Sequence, residues 1–316
     1  MSGLIRTKSQ RNLAAICAVA IAWLILLFLV PLLFPFDANK TDLSSSLLPP
    51  FSPGYLFGSD NIGHDVFLRT MAGGSESVFM AFAIVAITFV VGSIVGMVAG
   101  FSGGIVDEVL DKVITMFQAF PSFVLAIAIA AILSQGMINM IIAISLVYWT
   151  QPARLARSLA MSLKDSVAVR AALVCGANFR QICKKYLLPA MLSPLVVMAA
   201  LSIGDVVLTM AGLSFLGLGP ERPTNEWGMM MSEARSSMQF APWAILVPGT
   251  ALFATVSIFN LLGDALRDVL EGRSTENGEK GEAPTDLQTV EPPTKNELAW
   301  RSSFLPARAH NRKDNE

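Results

Sequence analysis

The sequence predicts an all-α membrane protein with six transmembrane helices, and three observations lead there. Of 316 residues, 53% are hydrophobic and only 15% charged, with a mean hydropathy of +0.56, whereas soluble domains carry about 25% charge. The apolar residues gather into runs, most of them long enough to cross about 30 Å of hydrocarbon. Lys and Arg fall between those runs in unequal numbers on alternate sides.

Residues 1–12 carry Arg6, Lys8 and Arg11 and are expected to form a cytoplasmic N-terminus. The apolar run 13–34 is the first transmembrane helix. It exceeds the usual signal-peptide core of about 7–15 residues, and its small-x-small triplet Ala18-Val19-Ala20 lies inside the run, not after it. Residues 35–77 are rich in Pro, Ser and Gly, and Pro49, Pro50 and Pro53 argue for an irregular extracytoplasmic segment. Residues 78–270 hold the remaining spans: Val78–Phe101, Val113–Leu133, Met137–Thr150, Ala190–Met210 and Ala241–Leu262. Ser134-Gln135-Gly136 is expected to be a tight hairpin between two of them. From Arg273 onward apolar residues are few, so 271–316 is expected to be a disordered cytoplasmic tail, with Leu298–Leu305 as a partner-binding candidate.

Six spans place both termini on one side. That side holds 19 of the 23 Lys and Arg; the other has Lys40, Arg69, Arg222 and Arg235. Without the tail the ratio is still 11 to 4, and the positive-inside rule makes the richer side cytoplasmic.

On that side lies Val169–Pro189, VRAALVCGANFRQICKKYLLP, a basic insert between two apolar runs. Its Ala171, Ala172, Gly176 and Leu188-Pro189 suggest a helix, a turn and a second helix, a surface able to meet a soluble partner. Gly92, Gly96 and Gly100 form a stripe at four-residue spacing, which suits close helix packing in lipid. Asp205 is a carboxylate inside a span, and such a group faces a cavity or a neighbouring helix. It and Thr209 are candidates for lining a pathway; a structural carboxylate near the outer interface is the alternative. Gln118 and Asn260 are read as helix–helix hydrogen-bonding groups. Outside the spans, Gly58–Asp65 reads GSDNIGHD and Gly212–Gly228 reads GLSFLGLGPERPTNEWG. The second is bent by repeated Gly and Pro yet is apolar, so it is expected to fold back as a re-entrant or interfacial cap.

Catalysis needs converging groups, and the spans supply none. Ser93, Ser122, Ser145, Ser202 and Thr209 have no nearby His or Lys base within a motif, and there is no Walker A sequence. Cys17, Cys175 and Cys183 form no disulfide framework, and with His64 and His310 they form no metal motif. A multi-pass enzyme built on Asp205 and the 212–228 loop would need a second converging group. A channel would leave the basic insert unexplained.

These stretches together resemble the inner-membrane permease subunits of peptide and nickel importers of the ATP-binding-cassette class, over about Leu13–Leu270. The markers are Gly58, Asp60, Gly63 and Asp65, similar to the family's GTDxxGRD; Ala171, Ala172, Gly176, Ala177, Leu188 and Pro189 of an EAA-type loop; Phe215, Leu216 and Gly217 with Trp227 and Gly228; and Asn260–Asp268, NLLGDALRD. Arg170 stands where the family has a glutamate, His64 where it has Arg, and Ser59 where it has Thr. The resemblance implies a MetI-like (type I) permease fold in the cell inner membrane, with the insert as the ATPase-coupling element. It implies a second homologous permease, two cytoplasmic ATPase subunits that hold ATP and Mg, and an extracytoplasmic substrate-binding protein. No cofactor, metal or nucleic acid is expected on this chain itself.

Overall fold

The computed structural model describes residues 2–33, 40–221 and 224–281, with side chains over 9–33, 40–221 and 224–270. Among them, in chain order, are α1 Ser2–Leu33, α2 Val66–Ser102, α3 Gly104–Gln118, α4 Ser122–Leu133, α5 Met137–Tyr148 and α6 Thr150–Lys164. Then come α7 Val167–Val174, α8 Phe179–Ile182, α9 Leu188–Phe215, α10 Trp227–Ala234 and α11 Trp243–Gly281. No named strand occurs among the described residues. The chain divides into two compact units, Met1–Glu271 and Gly272–Glu316. In the second, helix continues to Gly281, past residue 271 where the tail is expected to begin. Beyond it the expected tail, with Leu298–Leu305, lies outside the described residues, as do Arg222 and Pro223 of the 212–228 loop.

Six separate spans are not recovered by helix length and composition. By length and composition four helical stretches could cross a membrane: Ser9–Leu33, Val66–Ser102, Phe179–Phe215 and Trp243–Leu270. A fifth exists only if α3 and α4 are taken as one broken span, because they meet at 87°. The expected span Val113–Leu133 is broken at Pro121, which has no N–H to donate and pushes Phe120 out of the helical region. The expected span Met137–Thr150 contains only the 12-residue α5, about 18 Å at 1.5 Å per residue. It passes into the polar α6 through Trp149, whose dihedrals stay helical (φ −62, ψ −22).

The irregular segment 35–77 is shorter than expected, because α2 begins at Val66. Asp65 caps it by accepting from Leu68 N at 3.0 Å, which satisfies a donor the first turn would otherwise leave open. The hairpin between α4 and α5 does form at Ser134–Gly136, with Ser134 at φ 67 and Gly136 at φ 147.

The main core gathers Met80 and Ile84 of α2, Ala126 of α4, Met140 and Ile144 of α5, Met210 and Leu213 of α9, and Trp227 of α10. The first helix joins it through Leu27, fully buried, and through Trp23, whose Nε1 donates to Thr255 Oγ1 of α11 at 2.9 Å. A second core sits under the insert, where Ala156 and Ala160 of α6 meet Val169, Ile182, Leu187 and Met191.

Candidate functional site

At the insert end, α2 and α6 set the frame. Side chains built on Gly92, Gly96 and Gly100 would run into the backbone carbonyl oxygens of Trp149, Ala153 and Arg157. The two helices therefore lie backbone against backbone, a packing only glycine allows at those three positions. Arg157 of α6 then reaches α3, with Nε 2.5 Å and Nη2 3.0 Å from the two carboxylate oxygens of Asp107, and Nη1 3.1 Å from Asp111. Such a forked pair fixes geometry as well as charge.

Beyond Lys164, Ser166 caps α7, Val169 turns inward to the second core and Ala172 is buried. The opposite face is open: Val167 is 86% and Val174 89% exposed, and Ala171 is exposed beside them. Arg170 also points outward and pairs with Asp165 at 3.2 Å. Gly176 ends this helix at φ +82 with nothing within 4 Å of a built Cβ, so the left-handed backbone and not crowding demands glycine there. Ala177 is half-buried, and Asn178 opens α8 with a capping box, exchanging 3.0 Å bonds with Gln181. The expected second helix of the insert is not separate: a π turn over Cys183–Leu187 carries α8 into α9. Leu188 and Pro189 are the exposed first residues of α9, where a proline is tolerated.

At the opposite end, the 58–65 turn wraps Asp60. Its Oδ1 accepts from Ile62 N (3.0 Å) and His64 N (2.9 Å), while Oδ2 faces His64 Nδ1 and Arg69 Nη1, both at 2.9 Å. Gly63, at φ +83, leaves no room for a side chain against the Asp42 backbone. Burial alone would raise the Asp60 pKa, but the hydrogen bonds and charge of His64 outweigh it and hold the carboxyl below its ordinary range. Asp65 goes the other way, raised by burial.

Arg69 ties this turn to the distant loop. Its Nε donates to Asn225 Oδ1 at 3.0 Å and its Nη2 to Glu233 Oε2 at 2.8 Å, and the residue is only 5% exposed. Next to it, Trp227 is fully buried and donates from Nε1 to Thr70 O at 2.8 Å. The Gly228 Cα lies too close to the Ala211 backbone for any side chain. Glu226, pushed upward in pKa by burial, accepts from Gly228 N and Met229 N at 2.9 Å each and so caps α10. The 224–228 half of the 212–228 loop is thus buried in protein against α2. Phe215 and Leu216 are exposed, and Gly217 receives the α4–α5 hairpin, with Gln135 Nε2 donating to its carbonyl at 2.7 Å.

Asp205 is exposed on α9, and no basic side chain among the described residues pairs with it. Thr209, one turn on, is buried and shares a 2.6 Å hydrogen bond with Tyr148 of α5. Gly58, Asp60, Gly63 and Asp65 are therefore brought together with Trp227 and Gly228, whereas Asp205 and Thr209 stand apart on α9. Sequence reading missed Arg69, Asn225, Glu233 and Arg157. For Arg69 a signal did exist, a cation four residues past a capping aspartate. Among the described residues no group of three His, Cys, Asp or Glu is placed to hold a metal.

Residues 92–276 match the family described as "binding-protein-dependent transport system inner membrane component". The chain belongs to this family. Among its curated relatives is the nickel transport system permease protein NikC of Escherichia coli (strain K12), 39% identical over 237 residues, 75% of this chain and 85% of that one. Another is the oligopeptide transport system permease protein OppC of Haemophilus influenzae, 34% identical over 264 residues, 83% of this chain and 85% of that one. A glutathione transport system permease protein, GsiD of Escherichia coli O1:K1, is 36% identical over 259 residues, 80% and 86%. A solved inward-facing structure of the MetNI methionine ABC transporter aligns at TM-score 0.52 and 19% identity, over 64% of this chain and 97% of that one. The family member described here is a multi-pass inner-membrane permease of an ABC importer with a MetI-like fold, not an enzyme. The alternative of a catalytic site around Asp205 and the 212–228 loop is thereby set aside. In keeping with that, the loop's buried carboxylate, Glu226, is engaged in capping α10.

Proposed function

We propose that this permease couples to ATP hydrolysis through α7 and carries peptides, nickel or a metal chelate. The observation behind the coupling role is the exposed face of α7, with Val167 and Val174 nearly free of contacts at the end of a rigid α2–α6 pair. A soluble protein surface that covered these valines would remove apolar area from water, at about 25 cal/mol per Å². It would also be able to push on α6, and through Arg157 on α3.

The partners in this reading are a second related permease, two cytoplasmic ATPase subunits that bind ATP and Mg, and an extracytoplasmic binding protein. Both termini are then cytoplasmic, in agreement with the bias of Lys and Arg. Hydrolysis shifts the pathway between its two open sides by rocking one helical body against another. Asp205, exposed and with no cation paired to it among the described residues, fits a pathway that passes a positively charged group, such as a peptide amine or a chelated metal. Selectivity beyond that rests with the binding protein.

The test is Gly176→Pro in the co-expressed importer. Proline cannot take φ +82, so the turn that sets α7 must rebuild. Loss of ATPase assembly, or of hydrolysis stimulated by loaded binding protein, is expected. Unchanged assembly and unchanged stimulation would overturn the coupling role.

A further inference from the structure

From Ser166 to Gly204 the chain has no Asp or Glu, yet it has Arg170, Arg180, Lys184 and Lys185. All four cations are exposed. Only Arg170 has an ion-pair partner among the described residues, Asp165, and that pair is itself in solvent with side chains 66% and 75% exposed. The cations lie close in sequence to the bare valines of α7, Val167 and Val174. Protein interfaces join an apolar centre to a polar rim, and here the charge that accompanies the exposed apolar side chains is of a single sign.

We infer that the ATPase surface receiving α7 is acidic, with carboxylates set around an apolar hollow so as to meet Arg180, Lys184 and Arg170. The inference rests on the coupling role of α7 and adds the chemistry of its partner. The exposed apolar side chains of this eight-residue helix, Val167, Leu173 and Val174, offer little apolar area for lying on a lipid surface, whereas they match the centre of a small protein groove. Surrounding charges act mainly on the rate of encounter and its salt dependence. The single sign here makes that effect cumulative, and Arg170 can exchange Asp165 for a partner carboxylate without passing through a buried unpaired state.

The experiment uses the complete importer in detergent and measures affinity of the ATPase subunits for the permease pair as ionic strength rises from about 0.05 M to about 0.5 M, where screening shortens from over 10 Å to about 4 Å. Wild type is expected to weaken about tenfold or more across that range. Arg180→Glu combined with Lys184→Glu is expected to bind about tenfold more weakly at low salt, with a flatter salt response. Val174→Asp serves as the control for docking itself. If Val174→Asp abolishes assembly while salt and the double variant have no effect, the acidic surface is wrong and docking stands. If none of the three matters, docking at α7 fails as well. If the double variant keeps its ATPase affinity but loses binding to vesicles of anionic phosphatidylglycerol, the cations serve the membrane and the inference is overturned.

Discussion

Arg69 holds acceptors from both sides of a long stretch of chain: Asp60 nine residues before it, Asn225 and Glu233 more than 150 residues after it. With the guanidinium 5% exposed, its removal would break two ion pairs inside the protein, to Asp60 and to Glu233, which costs roughly 3–5 kcal/mol. Arg69→Ala should therefore lower the midpoint of thermal unfolding in detergent by many degrees. Arg69→Lys should recover only part of the loss, because an ammonium cannot serve three separated acceptors as the planar fork does. Asp60 gives this cluster a pH dependence of definite sign. Its folded pKa lies below the unfolded value, so its stabilising contribution is complete at neutral pH and is lost only as pH falls below the ordinary carboxylate range. A pH titration of that midpoint checks it: wild type should lose stability below about pH 4, and Asp60→Asn should flatten the curve there. For the pathway, Asp205→Asn should reduce uptake of a cationic substrate, and unaffected uptake of every substrate tried would remove Asp205 from it. The turn residues Gly58, Asp60, Gly63 and Asp65 were legible because each has a local reason to be there. Arg69 was counted only as an outer cation, since most of its partners are too distant in sequence for any pattern of spacing to join them.

Among the helices, the α2–α6 seam brings backbone against backbone at three glycines. Gly96→Leu would force side-chain atoms into the Ala153 carbonyl, and the helices must then part, at about 1–3 kcal/mol or more. Reduced yield of folded permease and a lowered unfolding midpoint are expected, and Gly249→Ala, whose added methyl would meet only Met231 Cε at 3.8 Å, serves as a milder comparison. Arg157→Ala should release α3 from α6, and amide exchange in α3 should quicken while that in α2 stays slow. The glycine stripe was legible from its period. The break at Pro121 was not read, because apolar residues continue on both sides of it, so hydropathy alone ran α3 and α4 together. The early start of α2 at Val66 was hidden by Gly73 and Gly74, which look like loop residues. They are there because Asn225, Trp227 and Leu27 come too close for side chains.

Taken whole, the first unit joins two polar ends through one apolar core. One end is a closed clamp of Asp60, Arg69, Asn225 and Glu233; the other is an open helix, α7, with Val167 and Val174 left bare by the described residues. A permease that works with partners needs both, a rigid body and a free handle. The family was legible from four short motifs in order, and three of them sit where backbone geometry or a cap restricts residue choice. The break in one expected span and the shortness of another were not, because two helices of 12 residues, α4 and α5, are apolar enough to resemble spans without the length of one. The most direct test of coupling through α7 uses Cys175, exposed at its end. With Cys17→Ser and Cys183→Ser in place, a short bifunctional thiol reagent is applied to the assembled importer. The expected product joins this permease to an ATPase subunit, in a yield that changes when ATP is added. Efficient modification of Cys175 without any ATPase adduct, in the presence or absence of ATP, would contradict it.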